Sequence, residues 1–181
     1  MDTIGFLELS SVAGGIEVAD VMLKSGQIDL LSAKASCPGK YYILIAGKVS
    51  DVENAIQKGA SMSGGFLVAS LVLPKIHPLV IQAINQSSMP ENVAAIGVME
   101  FFSVTSSILA ADTAVKSSNV QIVDMRLGTG LCGKSFVVLT GDTAAVEAAV
   151  TSAVRQQAEG GMLVNKAVLP NPRKELLVSL F

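Results

Sequence analysis

The sequence predicts an α+β fold in which two tandem copies of a split βαβ unit each form an antiparallel sheet with helices on one face. Two observations predict this fold. The chain of 181 residues repeats its own sequence over nearly its whole length. Each repeat also shows the same order of periodicities, namely strand, helix, two strands, helix and strand. The repeat therefore decides the architecture, and it predicts two domains, 1–90 and 91–181.

Three pairs of segments carry the repeat. The spacing between the paired segments grows from 92 to 94 and then to 96 residues, which predicts two short insertions in loops of the second repeat. The pairs are IGFLELSSVAGGIEVADVMLKS (4–25) with IGVMEFFSVTSSILAADTAVKS (96–117), GKYYILIAG (39–47) with GKSFVVLTG (133–141), and GGFLVASLVLP (64–74) with GGMLVNKAVLP (160–170).

The first half of each repeat reads as a strand followed by a helix. TIGFLEL (3–9) is the first strand, and Ser11 is the predicted N-cap of the helix that follows. Apolar residues at helical spacing predict the buried stripe of this helix in both repeats. The stripe consists of Ile16, Ala19 and Leu23 in the first repeat, and of Ile108, Ala111 and Val115 in the second.

Two short strands, IDLLSAKA (28–35) and KYYILIAG (40–47), come next and are joined by a turn that contains a cysteine. A capping box from Ser50 to Glu53 then predicts the start of a second helix. In the second repeat a plainer cap, Asp142 or Thr143, replaces this box.

The last strand of each repeat ends at a proline, Pro74 or Pro170. KIHPLVIQAI (75–84) and NPRKELLVSLF (171–181) follow these prolines and predict short helices. The polar segment NQSSMPEN (85–92) reads as the linker between the domains.

Composition limits the function. Apolar residues make up 50% of the chain and charged residues 15%, so we expect either a large core or a surface covered by further copies of the chain. The net charge of −2 and the absence of Lys/Arg clusters argue against nucleic acid as a partner. No segment approaches about 20 consecutive apolar residues and the start lacks a basic region, so we expect a cytoplasmic protein without a membrane partner. Both cysteines are expected to be free.

At this point the residues carry a resemblance to a known family. IGFLE and IGVME, each followed by a helix that ends in ADxxxKS and by a strand pair around a turn, resemble bacterial microcompartment (BMC) shell domains. Two such domains in one chain resemble tandem-domain shell proteins, whose trimers imitate a hexagonal tile. The order of elements is that of the forms that are not circularly permuted. The resemblance implies a structural protein with no catalytic residues, located in a microcompartment shell in the cytoplasm beside other BMC tiles.

The resemblance also implies roles for a lysine in each repeat. In the family, the lysine near the end of the first helix lies at the tile edge, which corresponds to Lys24 and Lys116. On the alternative interpretation, both are solvated lysines stabilised by the helix dipole.

The turn between the two middle strands lines the central pore in this family, usually as a K-x-G-S-G loop. RLGTGL (126–131) keeps that pattern, whereas the first repeat has KASCPG (34–39), which places Cys37 opposite Thr129. The pore-loop residues that the resemblance implies are Ser36, Cys37, Pro38, Gly39, Gly128, Thr129 and Gly130.

In a trimer, one cysteine per chain becomes three thiols on one axis. CPGK at this loop resembles tandem shell subunits of propanediol-utilisation compartments whose pore carries a [4Fe-4S] cluster. The resemblance implies one cluster per homotrimer with Cys37 as the ligand, electron transfer across the shell, and a redox protein or encapsulated enzyme as partner. Lys34 and Lys40 would favour the thiolate if their ammonium groups lie close to it.

Three alternatives stay open. Cys37 could be an idle turn cysteine, since free cysteine behaves as a small hydrophobe. The tile could have a cluster-free pore for small polar metabolites. The chain could also be a small oligomeric enzyme or ligand-binding regulator of the same fold, because a fold does not determine function.

The remaining candidate residues are interpreted as structural. Cys132 is expected to be a core cysteine beside the pore loop, with a role as an additional cluster ligand left as the weaker alternative. His77, the only histidine, is expected at the surface or in a helix cap. Two acidic pairs recur between the repeats, Glu8 with Glu100 and Asp20 with Asp112. Both pairs are interpreted as structural, and the glutamates, which follow apolar strand residues, could simply bond nearby backbone amides.

Overall fold

The computed structural model describes residues 3–88, 90, 93–157 and 160–179. These residues form two compact units. One holds the described residues up to Ile76 together with Thr129–Cys132, and the other holds the remaining residues from His77 onward. The predicted boundary near residue 90 concerns the repeated sequence and stays a prediction. Residues 89, 91 and 92 of the predicted linker lie outside the described residues.

Both repeats contain the predicted elements in the predicted order. The first contains β1 (Thr3–Leu9), α1 (Val12–Leu23), β2 (Ile28–Ser36), β3 (Lys40–Gly47), α2 (Val49–Met62), a single 3₁₀ turn (Gly64–Phe66), β4 (Leu67–Pro74) and α3 (Pro78–Asn85). The second contains β5 (Ala95–Phe101), α4 (Val104–Ser117), β6 (Gln121–Leu127), β7 (Ser135–Gly141), α5 (Thr143–Gln157), β8 (Leu163–Pro170) and α6 (Lys174–Val178). The two short helices predicted after the prolines are thus confirmed as α3 and α6.

Each repeat forms one four-stranded sheet, and every strand pair in both sheets is antiparallel. The strand orders are β2-β3-β1-β4 and β6-β7-β5-β8, so the first strand of each repeat is central. A register shift interrupts β2 between Leu30 and Ser32, and β6 between Ile122 and Asp124. These positions are equivalent in the repeat, and the two antiparallel sheets confirm the predicted fold class.

Glycines on the central strands allow the helices to pack closely on the sheets. A Cβ atom at Gly5 would lie 2.8 Å from side-chain carbons of both Val52 and Ile56 on α2. A Cβ atom at the equivalent Gly97 would lie 2.7 Å from Val146 and 2.8 Å from Val150 on α5. Close helix–sheet packing therefore accounts for the recurring IG dipeptide.

The helix caps agree with the sequence in one case and not in another. Ser11 caps α1 as predicted, because its hydroxyl accepts a hydrogen bond from the Gly14 N–H at 3.1 Å. The capping box predicted from Ser50 to Glu53 is wrong. Helix α2 begins at Val49 with Lys48 as N-cap, since only one residue separates it from β3, and Ser50 therefore lies inside the first turn.

The predicted buried stripe is confirmed for α4 and wrong for α1. Ile108, Ala111 and Val115 are buried, as expected for the second repeat. In α1, Ile16 and Leu23 are exposed, although Ala19 is buried as predicted. The buried face of α1 consists instead of Gly15, Val18, Ala19 and Met22, and the last three pack on the strands of the first sheet.

Candidate functional site

The predicted cysteine turn is a tight hairpin. Ser36 and Lys40 form the last cross-strand pair between β2 and β3, so three residues, Cys37, Pro38 and Gly39, make the loop. The Cys37–Pro38 peptide bond is cis, and Gly39 has a φ of 68°, a conformation that glycine adopts without strain. The CPG sequence therefore builds a tight turn in which Cys37 is the first loop residue.

The surroundings of Cys37 are open on one side and closed on the other. The Cys37 side chain is a free thiol of intermediate exposure. A Cβ atom built on Gly39 would meet nothing within 4 Å, so the tip borders open space. The adjacent Ser36 is buried, and its hydroxyl has no hydrogen-bond partner among the described residues. The hairpin thus presents one accessible thiol beside one unsatisfied hydroxyl.

The two lysines that flank this cysteine have other partners. Lys40 Nζ donates to Glu8 Oε2 at 3.1 Å. Lys34 Nζ lies 5.7 Å from the centre of the Tyr42 ring, in a cation–π arrangement. Both ammonium groups therefore interact with residues of neighbouring strands.

The second hairpin has the longer loop, with seven residues between its last cross-strand pair against three in the first hairpin. Leu127 pairs with Ser135, and the loop between them contains three glycines with positive φ, which are Gly128, Gly130 and Gly133. Thr129 and Gly130 are exposed, whereas Gly128 is buried. This longer loop is the first of the two predicted insertions. The second would fall near residues 158 and 159, which lie outside the described residues.

The prediction that Cys132 is a core cysteine is wrong. Cys132 is exposed and has a φ of 51°. It lies in the loop before β7, whose first residue is Ser135, and so it does not take part in the alternation that buries strand residues. His77 agrees with its prediction, because it is the N-cap of α3 and its Nδ1 accepts a hydrogen bond from the Leu79 N–H at 3.3 Å.

The recurring glutamates pair with lysines, which agrees with a structural role but not with the backbone amides considered as partners. Glu8 bonds Lys40, and Glu100 bonds Lys134 at 2.6 Å. Lys40 is the first residue of β3, and Lys134 directly precedes β7. Sequence analysis missed this pair, although the GK dipeptide recurs at positions 39–40 and 133–134 just as the glutamates do.

The two candidate edge lysines occupy equivalent positions at helix ends. Lys24 is the C-cap residue of α1, and Lys116 lies in the last turn of α4. Each forms an ion pair with the aspartate one turn earlier, Asp20 or Asp112, at 2.5 Å. Both lysines are exposed, and their role at a tile edge stays a prediction.

The chemistry of the hairpin fits one ligand per chain for a thiolate-bound cluster. Within the described part of the chain, no group of three or more Cys, His, Asp or Glu side chains is arranged to hold a metal ion. Cys37 itself is a free thiol of intermediate exposure in the hairpin loop. Among the described residues, no helix is both long and apolar enough to cross a membrane.

Comparisons with known proteins agree with this architecture. The model of the BMC domain family matches the chain twice, over residues 3–76 and 95–172. The chain is 43% identical over 173 residues to the bacterial microcompartment shell protein PduT of Citrobacter freundii, covering 96% of this chain and 94% of the relative. It is 27% identical to the carboxysome assembly protein CcmO of Synechococcus sp., covering 98% of this chain and 68% of the relative.

A solved structure agrees in fold over the whole chain. The crystal structure of a microcompartment protein from Desulfitobacterium hafniense DCB superposes with a TM-score of 0.93 and 46% identity, covering 98% of this chain and 99% of the other. These relatives are microcompartment or carboxysome assembly proteins, and PduT is a shell protein by name. This confirms the prediction of a structural protein rather than an enzyme.

Proposed function

The chain belongs to the BMC-domain family of bacterial microcompartment shell proteins, and from this premise we propose that three chains form a tile of a microcompartment shell. Two family domains per chain supply the six domain positions of a hexagonal tile when three chains close into a ring. The two equivalent sheets, with the same strand order and the same register shift, support this arrangement because they present similar surfaces twice in one chain. Neighbouring shell tiles are the partners at its edge.

The central pore of this tile is proposed to bind a [4Fe-4S] cluster. The observation that carries the proposal is the position of Cys37 as a partly exposed free thiol in a three-residue hairpin loop, where a Cβ atom on Gly39 would meet nothing within 4 Å. On a threefold axis, three such thiols would hold three irons and leave the fourth iron to a ligand outside the protein. When bound, a cluster of this type takes up and releases single electrons.

The residues around Cys37 have supporting roles in this proposal. The left-handed Gly39 allows the tight turn that presents the thiol. The adjacent Ser36 is buried at the end of β2 and holds the base of the loop within the domain. The Lys40–Glu8 ion pair anchors the base of the hairpin to β1.

The function that follows is electron transfer between the compartment interior and the cytosol through the tile. The redox partner would be a one-electron carrier or an enzyme inside the compartment. A tile with an open pore for small polar metabolites is the alternative that the experiment must separate.

The test is anaerobic reconstitution of the full chain with iron and sulfide. We expect a brown trimer with about one cluster per three chains. Cys37→Ser should abolish the colour and bound iron while the trimer persists. Cys132→Ser is the matched control, since it removes the other free and exposed thiol, and it should keep the full cluster content.

Each outcome of this test separates the proposals. A wild-type trimer that stays colourless and free of iron after reconstitution refutes the cluster and leaves the open-pore tile. Loss of the cluster in Cys132→Ser as well would show that Cys37 is not the sole protein ligand. A protein that is monomeric with or without the cluster refutes the tile itself.

A further inference from the structure

The last helix, α6, is the counterpart of α3, the helix that follows the first repeat. At the spacing of 96 residues, Lys75 corresponds to Asn171, and both have left-handed φ values, of 54° and 47°. At the same spacing, His77 and Arg173 are the N-cap residues of α3 and α6. The chain therefore passes from the last strand of each repeat into the following helix through the same backbone geometry.

Helix α3 covers part of the second unit. It packs against α4 and β6, and its Val80 side chain is completely buried. The backbone N–H of His77 donates to Asp112 Oδ1 on α4 at 2.8 Å. Further along, the Ser88 N–H donates to the Val123 carbonyl at the edge of β6 at 2.9 Å. Helix α4 and strand β6 are thus covered by a segment that precedes them in the same chain.

Helix α1 and strand β2 are equivalent to α4 and β6, yet their apolar residues are exposed. The exposed fractions of equivalent positions are Val12 38% against Val104 2%, Ile16 56% against Ile108 0%, Leu23 37% against Val115 9%, and Leu30 44% against Ile122 7%. The residues are similar in kind and position, but α4 packs against α3 as well as α5, whereas the helix that packs comparably on α1 is α2.

Helix α6, in turn, lacks a surface to pack against. Leu176, the counterpart of the buried Val80, is 39% exposed. Helix α6 makes no packing contact comparable to that of α3 with the other described elements. The single chain therefore exposes α6, which is equivalent to the docked helix α3. It also exposes α1 and β2, which are equivalent to the surface that α3 covers.

We propose that α6 of one chain docks on α1 and β2 of the next chain, as α3 docks on α4 and β6 within a chain. Leu176 would bury against the apolar stripe formed by Val12, Ile16 and Leu23 of the next chain. The Arg173 N–H would donate to Asp20 of that chain, as His77 donates to Asp112. The contact joins two different surfaces, so it repeats head to tail and closes when the ring is complete. This inference rests on the proposed trimer and names the contact that holds it together.

Glutamate substitutions at exposed positions test the contact, because glutamate keeps helix propensity while placing a charge in the interface. Ile16→Glu and Leu176→Glu should each raise the dissociation constant of the trimer by at least about tenfold. Val178→Glu is the matched control: Val178 is the most exposed large apolar residue described and corresponds to the exposed Gln82 of α3. It should leave the trimer unchanged. Native mass spectrometry at fixed protein concentration measures the stoichiometry, and far-UV circular dichroism verifies the fold of each variant.

Mixing the two variants tests the direction of the contact. A chain with Ile16→Glu keeps a normal α6, and a chain with Leu176→Glu keeps a normal α1, so the mixture contains one intact pair of surfaces. We expect a 1:1 complex at a concentration where each variant alone is monomeric. Folded variants that remain trimers with the wild-type dissociation constant overturn the docking inference and leave the tile intact. A monomeric wild type overturns both.

Discussion

Lys40 Nζ lies 3.1 Å from Glu8 Oε2, and this ion pair joins the first residue of β3 to β1 at the base of the cysteine hairpin. The second repeat contains the equivalent pair, between Lys134 and Glu100. The two pairs differ in solvent exposure, since the Glu8 side chain is 6% exposed and that of Glu100 is 32% exposed. One interaction therefore occurs in two environments within one chain.

Removing the lysine should cost more in the first repeat than in the second. Lys40→Met leaves a nearly buried carboxylate without its partner, and we expect the free energy of unfolding to fall by about 3 kcal/mol. Lys134→Met leaves a carboxylate that is 32% exposed and so partly hydrated, and the expected loss is about 1 kcal/mol or less. Urea unfolding at equal protein concentration measures both, because assembly contributes to the observed stability. Equal losses would contradict the role assigned to burial.

The close approach of helix and sheet at the central glycines predicts overpacking. Gly97→Ala would bring a methyl group within 2.8 Å of Val146 and Val150, and we expect a loss of about 1–3 kcal/mol in the free energy of unfolding. Gly65→Ala is the control, because its added methyl group would meet nothing within 4 Å. Thermal and urea unfolding should give the control the same stability as the wild type. A Gly97→Ala variant with unchanged stability would refute the close packing.

The two serines at helix starts should respond differently to alanine. Ser11→Ala removes the hydroxyl that accepts from the Gly14 N–H, and the expected cost is about 1 kcal/mol. Ser50→Ala should change stability by less than about 0.5 kcal/mol, because Ser50 lies inside α2 and the N-cap residue is Lys48. If Ser50→Ala proves as costly as Ser11→Ala, the capping box predicted from the sequence forms after all.

If Lys24 and Lys116 lie at the tile edge, their substitution should affect the assembly of trimers into sheets and not the formation of the trimer. Lys24→Ala and Lys116→Ala should weaken the association of trimers into sheets, as seen by electron microscopy, without dissociating the trimer. Lys116→Ala should also reduce stability by about 1 kcal/mol, because its partner Asp112 is 8% exposed and is left with less compensation. Lys58→Ala, at an exposed position of α2, is the matched control. Normal sheets from both edge variants would show that the assignment of the edge is wrong.

The sequence predicted most of the fold because the repeat states each element twice. The strand bounds, the order of elements, the Ser11 cap and the cap role of His77 follow from local periodicity and from residues close in the chain. Two local predictions failed for a local reason. The short connection between β3 and α2 starts that helix before Ser50, and the loop position of Cys132 removes it from the pattern of strand burial.

The candidate site was predictable only in part. The hairpin and its cysteine follow from the CPG sequence, and the structure places them where the aligned repeats indicate. The partners of Lys34 and Lys40 did not follow, because Tyr42 and Glu8 reach them only through the register of neighbouring strands. Recurrence of both charges between repeats was the available signal for the Glu8–Lys40 pair.

Ile16 and Ile108 mark the limit of what the sequence by itself predicts. It determined that both are apolar residues at the same position of equivalent helices, since helical periodicity depends on the nearby chain alone. Only the tertiary structure decided that Ile108 is buried and Ile16 is exposed. Burial depends on which distant segment packs against a surface, and two similar local patterns acquire different neighbours when one precedes the other in the chain.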